Sequence, residues 1–553
     1  MGTKCELGLV MAGAVSAGAY TAGVVDFLIQ ALEEWQRARE AGDDTAPPHE
    51  VRLRIISGAS AGGMTAAMLA GLAAGREHRP IGNDDPGEDV ADNVLYQSWV
   101  NDIDIEPLLG RRDLDDDRLV SLLDSTVLDE IAEHALPLDR AGQRRAWVDE
   151  NAELILTIAN LRGVPYNIPF ADDSDGRAAP ERPGHGMRQH RDYLHFSFGE
   201  EPGTASHRLD WQMRGDNWLL LRQAALATGA FPLGLAPRRI GQGGDFYNQR
   251  RFRTEGRGKL PDGDCECIVE PEILPAWGGP APADYAFTAV DGGLFDNEPY
   301  ELTRSRLNRN RPEDFDESAT RRIMLAVDPF PNTQNFADEE AGEPDSLPAL
   351  LLGLLGAMKN QGRFKPAELA VAARHISASR RIIAPSRDGA QEDESPIASG
   401  PLGGFAGFLD RNFRHHDFML GRANCQSFLR NHFSLPADNA LIADWTEAQR
   451  RTHRTADGKC PVIPLFGSAR DEVVVPPWPS IAGERIDDLR RKLKKRINRM
   501  LPILFREVVP GNRFLRWAAV QLARWTQTGD WARRAANHTR EELVKAGIEV
   551  RGQ

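Results

Sequence analysis

Cysteine is scarce in this 553-residue chain. Its five cysteines are scattered over positions 5, 265, 267, 425 and 460. An odd and scattered set is not typical of the disulfide framework of a secreted domain, and no paired CxxC units are present to hold zinc. The sequence therefore predicts a protein of the reducing cytoplasm.

A basic charge balance is also missing. The chain has 67 lysines and arginines against 81 acidic residues, a formal net charge of -14 at pH 7. A surface that follows nucleic acid phosphates usually leaves a basic balance, so nucleic acid is excluded as the main partner. With 41% hydrophobic residues, the chain can bury a sizeable core, as one large domain with an extension or as two to three domains.

A signal peptide or membrane span near the N-terminus is disfavoured as well. The apolar segment from Leu7 to Ile29 follows only one positive residue, Lys4, and is interrupted by glycines at positions 8, 13, 18 and 23 and by Asp26. A membrane span needs a longer uninterrupted apolar run. The segment instead predicts a buried strand, a glycine-bearing turn and a helix.

Two successive strand-turn-helix units are present. "CELGLVMAG" has the character of a buried strand, and "AGAYTAGVVDFLIQALEEW" has apolar residues at helical spacing. "VRLRIIS" and "GGMTAAMLAGLAAG" repeat the arrangement. Such repetition predicts an α/β fold with a parallel sheet covered by helices, whose active site lies in loops at the carboxyl ends of the strands.

The second of these turns contains Ser60. The sequence Gly58-Ala59-Ser60-Ala61-Gly62 is a G-x-S-x-G pattern between a strand and a helix. A nucleophile elbow requires glycines there, because the turn is sharp and the backbones approach closely. The following helix would favour negative charge at Ser60. The alternative interpretation is a glycine-rich turn in which Ser60 only caps the helix.

The first turn, "MAGAVSAGAY", is the candidate oxyanion hole. Backbone N–H groups in a turn of small residues can bind a developing oxyanion, and Gly13, Ala14 and Val15 are the candidate donors. The turn lacks the G-x-G-x-x-G of a dinucleotide site, and no Lys-Ser or Lys-Thr follows Gly18 as a P-loop requires.

A carboxylate for the same site is predicted much later in the chain. "YAFTAV" reads as a short buried strand, and Asp291-Gly292-Gly293 follows it. Such a turn presents one carboxylate at the end of the strand. Asp-Gly-Gly alone is a common turn, so its interpretation as part of a site depends on Ser60.

Together these motifs resemble the patatin-like phospholipase family. The resemblance rests on the small-residue turn before "GAYTAGV", on "GASAGG", on "ALATGAFPLGLAPR" at 225–238 and on "VDGGLFDNEP" at 290–299, over about residues 5–335. It implies a three-layer α/β/α fold with a mainly parallel central sheet. It also implies hydrolysis of acyl esters in lipids or phospholipids, of phospholipase A or lysophospholipase type, by a Ser60–Asp291 dyad that needs no cofactor or metal.

The resemblance also divides the chain. Residues 1–335 correspond to the catalytic domain, and residues 336–553 are expected to form a mostly helical extension, as in bacterial members with long C-terminal extensions. One departure concerns the oxyanion turn, where the family usually has three consecutive glycines followed by an arginine. Here Ala14 and Val15 follow Gly13, and no arginine is present. Both still offer backbone N–H groups if their dihedral angles are allowed.

The C-terminal region contains a basic segment within an acidic chain, from Arg485 to Arg524. Apolar residues recur there at helical spacing: Ile486, Leu489, Leu493, Ile497, Leu501 and Leu504. Such a helix either makes peripheral contact with an anionic membrane through residues 485–524 or packs its apolar stripe on the protein. Both interpretations remain open.

Three functions are compatible with these motifs. A lipid acyl hydrolase explains the elbow, the oxyanion turn and the aspartate together. An α/β-hydrolase with a Ser-Asp-His triad is the second, although its elbow normally follows several strands. His415-His416-Asp417 offers histidines, but packing or surface roles are favoured for them, and neighbouring helical side chains point about 100° apart, which disfavours a shared metal. A catalytically inactive interaction protein is the third.

Overall fold

A computed structural model of the chain gives its architecture. The residues that it describes are 3–83, 90, 92–114, 118–139, 142–169, 184–199, 205–250, 254–260, 263–269, 273–308, 317–330, 350, 353–354, 357, 380–387, 389, 395–508, 520–521 and 528–551.

The strands are β1 (Lys4–Met11), β2 (Glu50–Gly58), β3 (Val148–Pro169), β4 (Gly184–Ser197), β5 (His207–Arg208), β6 (Arg238–Gln242), β7 (Thr254–Leu260), β8 (Gly263–Val269), β9 (Tyr285–Asp291), β10 (Arg322–Val327), β11 (Arg380–Ile383), β12 (Ser434–Leu435), β13 (Cys460–Pro461), β14 (Ser480–Ala482) and β15 (Glu549–Arg551). The α-helices are α1 (Gly18–Glu40), α2 (Ser60–Ala73), α3 (Val94–Tyr96), α4 (Ile105–Leu108), α5 (Thr126–Ala135), α6 (Asp216–Thr228), α7 (Asp245–Asn248), α8 (Tyr300–Asn308), α9 (Arg411–Asn431), α10 (Glu447–His453), α11 (Gly483–Val508) and α12 (Thr528–Lys545).

A nine-stranded sheet forms the centre of the fold. Its main path has the order β11-β10-β1-β2-β3-β4-β5, and β9 pairs with both β3 and β6. The strands β11, β10, β1, β2 and β3 pair in parallel with one another along this path, whereas β3 pairs antiparallel with β4 and β9 on its other side. The predicted mainly parallel sheet is therefore confirmed.

The alternating side chains of β1 show how helices cover both faces of the sheet. Leu7, Leu9 and Met11 belong to the large apolar core that α1 and α2 share. Val10 points to the opposite face and packs with residues of α8, as the period of two in a strand requires. Helices on both faces confirm the three-layer α/β/α arrangement.

Helix α1 is covered on its outer side by α9, far along the chain. A Cβ at Gly23 would lie 1.9 Å from the carbonyl oxygen of Phe418, and one at Gly421 would lie 2.2 Å from that of Tyr20. Glycines on both helices thus allow close packing. Asp26 and Arg422 also form a buried ion pair between the two helices.

The helix Val15–Glu40, which includes the short turn before α1, is long and apolar enough to span a membrane by length and composition alone. In the fold, 94% of its apolar window is buried inside the protein. The predicted strand, turn and helix of the N-terminus account for the same residues.

Residues beyond 335 contribute to the same fold. Strand β11 extends the central sheet, and α9 packs on α1. The domain boundary at residue 335 stays a prediction, as does the cytoplasmic location. The thiols of Cys5, Cys425 and Cys460 are free and buried.

Helix α11 corresponds to the first part of the basic segment. Part of its apolar stripe faces the protein, with Ile486 and Leu501 only 2% and 5% exposed, whereas Leu504 is 40% exposed. Arg496 is also buried, and it forms a double contact with the carboxylate of Asp113 at 2.9 and 2.7 Å. The packing interpretation therefore describes the buried part of this stripe. Residues 509–519 and 522–524 of the basic segment lie outside the described residues, and the membrane contact stays a prediction.

Candidate active site

Ser60 lies in a sharp turn between β2 and α2. Its φ angle is 51°, in the left-handed region that is strained for any residue except glycine. A Cβ at Gly58 would lie 2.5 Å from the carbonyl carbon of Gly62, and one at Gly62 would lie 2.2 Å from the carbonyl oxygen of Met11. Both glycines are therefore required by close backbone approach, as the elbow interpretation predicts.

The hydroxyl of Ser60 meets the carboxylate of Asp291. Ser60 Oγ donates a hydrogen bond to Asp291 Oδ2 at 2.7 Å, and both side chains are buried. Asp291 is the last residue of β9, and its other oxygen, Oδ1, accepts the backbone N–H of Gly293 at 2.7 Å. The turn after β9 thus fixes the carboxylate with one oxygen directed at Ser60.

The backbone of Ser60 is held by a threonine. The N–H of Ser60 donates to Thr228 Oγ1 at 2.8 Å, and Thr228 is the last residue of α6. Two residues after Thr228, the carbonyl of Ala230 accepts a hydrogen bond from the N–H of Asp291 at 3.0 Å. The end of α6 therefore sets the position of Ser60 relative to Asp291.

The three candidate oxyanion donors are not equivalent. The N–H of Gly13 already donates to the backbone carbonyl of Asn297 at 3.1 Å. In the described part of the chain, the N–H groups of Ala14 and Val15 donate to no acceptor. All three residues line a cavity that also contains Ser60 and Asp291. The geometry thus favours Ala14 and Val15 over Gly13 as donors.

The departure from a glycine turn has a backbone consequence at Val15. Its φ angle is 51°, which is rare for a β-branched residue. Ala14, by contrast, has a φ of -145°, which is accessible to any residue. The left-handed conformation that a glycine would adopt freely is therefore imposed on a valine.

Asn297 fills the space beside the oxyanion turn. A Cβ on Gly13 would lie 2.3 Å from Asn297 Oδ1, which explains why this position holds glycine. The side-chain amide Nδ2 donates to Glu298 Oε1 at 2.7 Å and to the carbonyl of Gly13 at 3.4 Å. Oδ1 is buried and has no hydrogen-bond partner within the described residues.

Two cavities meet at Ser60. The first, of about 210 Å³, is lined by Gly13, Ala14, Val15, Ser60, Phe231, Pro232, Asp291, Gly293, Leu294, Asn297, Leu402, Gly403 and Phe405. The second, of about 40 Å³, is lined by Val15, Ser60, Ala61, Met64, Trp99, Ile103, Leu108, Leu123, Leu128, Gly229, Phe231, Leu235, Phe405 and Phe408. Apart from Ser60, the second lining consists of apolar residues and one glycine, with the Trp99 ring as its most polar member.

Part of this lining comes from residues beyond 400. Ser16, in the turn before α1, fixes that segment, because its hydroxyl contacts the carbonyl of Gly404 and accepts the N–H of Gly407 at 3.0 Å. Phe405 borders both cavities. Residues beyond 400 therefore supply part of the wall of both cavities.

No histidine lines either cavity among the residues that the structure describes. His415 lies elsewhere, with Nδ1 2.8 Å from the hydroxyl of Tyr96, and burial lowers its pKa to about 4. His416 is 1% exposed and lies with Nδ1 3.0 Å from Asp417 Oδ1. Both histidines thus pack within the fold.

Three contributors to the site carry no distinct signal in the sequence. Thr228 and Asn297 lie inside the quoted stretches "ALATGAFPLGLAPR" and "VDGGLFDNEP", but nothing in their spacing distinguishes them from neighbouring residues. Phe405 belongs to the aromatic stretch of residues 401–433. Only the aromatic density of that stretch signals a buried surface.

The oxyanion turn and the elbow lie within a region that is similar to a known family. Residues 9–173 match the family model described as patatin-like phospholipase. A protein of Sinorhizobium fredii, named uncharacterized protein y4iI, is 34% identical over 547 residues, covering 89% of this chain and 75% of that protein.

The crystal structure of VipD from Legionella pneumophila is 11% identical and covers 98% of this chain and 88% of its own, with a TM-score of 0.21. Similarity at that level carries no argument about fold or function.

Proposed function

Because the chain belongs to the patatin-like phospholipase family, we propose that it is a lipid acyl hydrolase in which Ser60 and Asp291 form the catalytic dyad. The observation that carries the proposal is the 2.7 Å hydrogen bond from Ser60 Oγ to Asp291 Oδ2 beside a largely apolar cavity. The substrate class is a carboxylic ester of a lipid, of phospholipase A or lysophospholipase type.

In the acylation step, Ser60 Oγ attacks the acyl carbon of the ester while its proton passes to Asp291. The carbonyl oxygen of the substrate becomes an oxyanion, and the N–H groups of Ala14 and Val15 bind it. Asp291 then gives the proton to the leaving alcohol as the ester bond breaks. The product is an acyl-enzyme on Ser60.

In the deacylation step, Asp291 accepts a proton from water as the water oxygen attacks the acyl carbon. Collapse of the second tetrahedral intermediate breaks the bond to Ser60, whose oxygen takes the proton back from Asp291. The fatty acid leaves, and the hydrogen bond between the two side chains forms again. Each proton transfer uses the same carboxylate, so the scheme requires no histidine.

The second cavity, of about 40 Å³, offers a site for the part of the acyl chain next to the ester carbonyl. It begins at Ser60 and is bordered by Trp99, Ile103 and Leu108 among other apolar residues. An apolar chain gains about 0.8 kcal/mol for each methylene that it buries. A lipid acyl group therefore fits this lining better than a polar acyl group does.

A fluorophosphonate probe combined with ester hydrolysis tests the proposal. We expect labelling at Ser60 in the folded protein, release of fatty acid from phospholipid substrates, and loss of both in Ser60→Ala. Ser57→Ala is the matched control, because Ser57 Oγ is buried 2.5 Å from Thr303 Oγ1, away from the cavity. Folded protein that neither reacts with the probe nor releases fatty acid would refute the proposal.

One observation favours a second candidate, a catalytically inactive interaction protein. The N–H of Gly13 is engaged with Asn297, which leaves two of the three candidate donors, and one of these two belongs to the strained Val15. The probe experiment separates the two candidates, since an inactive protein would leave Ser60 unlabelled.

A further inference from the structure

An exposed apolar patch lies beside the cavities. We define it by Val120, Leu122 and Leu233, whose exposed fractions are 52%, 51% and 60%. Two backbone hydrogen bonds join its parts, from the N–H of Leu122 to the carbonyl of Leu233 at 2.8 Å and from Leu123 to Gly234 at 2.9 Å. The two segments that carry the patch are therefore held side by side by backbone hydrogen bonds.

The patch is continuous with the walls of the proposed active site. Pro232 lines the first cavity, and Leu123 and Leu235 line the second. In the sequence, Pro232 is adjacent to Leu233, Leu123 is adjacent to Leu122, and Leu235 lies two residues after Leu233. Leu233 also has a φ of 65°, a left-handed conformation that is strained for a residue other than glycine.

Cations of α11 flank the patch. The buried Arg496 connects the two, because its Nε donates to the carbonyl of Leu122. Residues three and four positions apart lie on the same side of a helix. Arg499 is three residues after Arg496 and four residues after Lys495, so it lies close to both on the surface of α11. In the described part of the chain, neither Lys495 nor Arg499 pairs with a carboxylate, and both are exposed.

We propose that the apolar patch and the exposed cations of α11 dock the protein on an anionic lipid bilayer, with the cavities of Ser60 facing the lipid. The inference rests on the proposed lipid hydrolase function. Apolar side chains that enter the interface and cations that meet anionic headgroups are the two contributions that peripheral binding requires. The exposed cations Lys494, Lys495 and Arg499 of α11 favour an anionic surface. Because Asp115, Asp116 and Asp117 precede the patch in the sequence, these cations of α11, and not the segment of the patch, would meet the anionic headgroups.

Binding to lipid vesicles tests the contribution of the apolar patch. The triple variant Val120→Ser, Leu122→Ser, Leu233→Asn should lower the partition onto vesicles of phosphatidylcholine and phosphatidylglycerol by about tenfold or more. Asparagine suits position 233 because it tolerates a left-handed backbone. Val474→Ser is the matched control, since Val474 is 61% exposed and lies elsewhere, and its partition should equal that of the unmodified protein.

A variant with two charge reversals tests the contribution of the cations to vesicle binding. It also tests the proposal if the triple variant does not fold. Lys495→Glu with Arg499→Glu should also lower the partition by about tenfold or more, and added salt should weaken binding of the unmodified protein. The control is Arg430→Glu with Arg454→Glu, in a groove that includes His453. His453 contacts Thr45, past the far end of α1, and a helix of that length spans about 35 Å.

The outcomes separate this inference from the hydrolase proposal. Hydrolysis of a soluble short-chain ester should stay unchanged in the patch and charge variants while hydrolysis of vesicle lipid falls with binding. Unchanged vesicle binding in both folded variants would overturn the docking surface, as would equal binding to pure phosphatidylcholine vesicles. Patch-dependent binding by a protein that cleaves no ester would instead support the docking surface and refute the hydrolase.

Discussion

Replacing Asp291 by asparagine tests the proposed base with little change of shape. One oxygen of Asp291 accepts the N–H of Gly293 at 2.7 Å, and the other accepts the hydroxyl of Ser60 at 2.7 Å. In Asp291→Asn, the amide oxygen keeps the bond to Gly293, so the amide nitrogen faces Ser60. That nitrogen is a donor and cannot take the hydroxyl proton.

The expected loss follows from the role of the carboxylate. General base catalysis contributes about 10²–10⁴-fold, so we expect kcat/KM to fall by roughly 10³, or about 4 kcal/mol of transition-state stabilisation. The loss should lie in kcat and not in KM, because Asp291 acts on the reacting proton. Backbone contacts such as the N–H of Asp291 to Ala230 do not change, so the variant should fold.

The assay is steady-state hydrolysis of a soluble chromogenic ester, with thermal unfolding as the check on folding. His415→Gln with His416→Gln is the companion variant and should keep most of the rate, since both histidines pack away from the cavities. A folded Asp291→Asn protein that keeps more than about a tenth of the rate would refute the dyad. Loss of activity in the folded histidine variant would instead favour a Ser-Asp-His triad.

Val15→Gly should keep kcat within about threefold, because the backbone N–H remains and the left-handed φ suits glycine; a loss near a hundredfold would show that the valine side chain itself is needed. Leu123→Ala should raise the rate on longer acyl esters relative to shorter ones, measured over a chain-length series, because it enlarges the second cavity; an unchanged profile would argue against that cavity as the acyl site. His49 donates from Nε2 to Val462 and accepts from Trp445 at Nδ1, and burial lowers its pKa to about 4. The stability it contributes is therefore full above its ordinary pKa of about 6.5 and is lost towards pH 4, so the melting temperature should fall over this interval, less steeply in His49→Gln.

The N-terminal part of the fold was predictable because its signals are local. The strand, turn and helix around Ser60 show hydrophobic periodicity and glycine spacing within a short window, and the structure has β2 and α2 at those residues. The contact of Ser60 with Asp291, 231 residues later, could be predicted only with the help of the order of the motifs along the chain. Their catalytic roles stay predictions.

Contacts between distant segments could not be predicted in the same way. The N–H of Gly13 is engaged by Asn297, 284 residues away, and neither local sequence shows the pairing. The amphipathic pattern of α11 likewise fits two environments equally, since a helix stripe has the same period whether protein or lipid covers it. Only the tertiary contacts of Ile486 and Arg496 distinguish them.

The packing of α9 on α1 has a consequence for synthesis of the chain on the ribosome. Tyr20 of α1 donates to the side chain of Asn424 in α9, 404 residues later. At about 5–20 residues per second, roughly 20–80 s separate the appearance of the two helices. During that interval the long apolar helix α1 lacks its outer cover, so we expect the nascent chain to depend on a chaperone until α9 emerges.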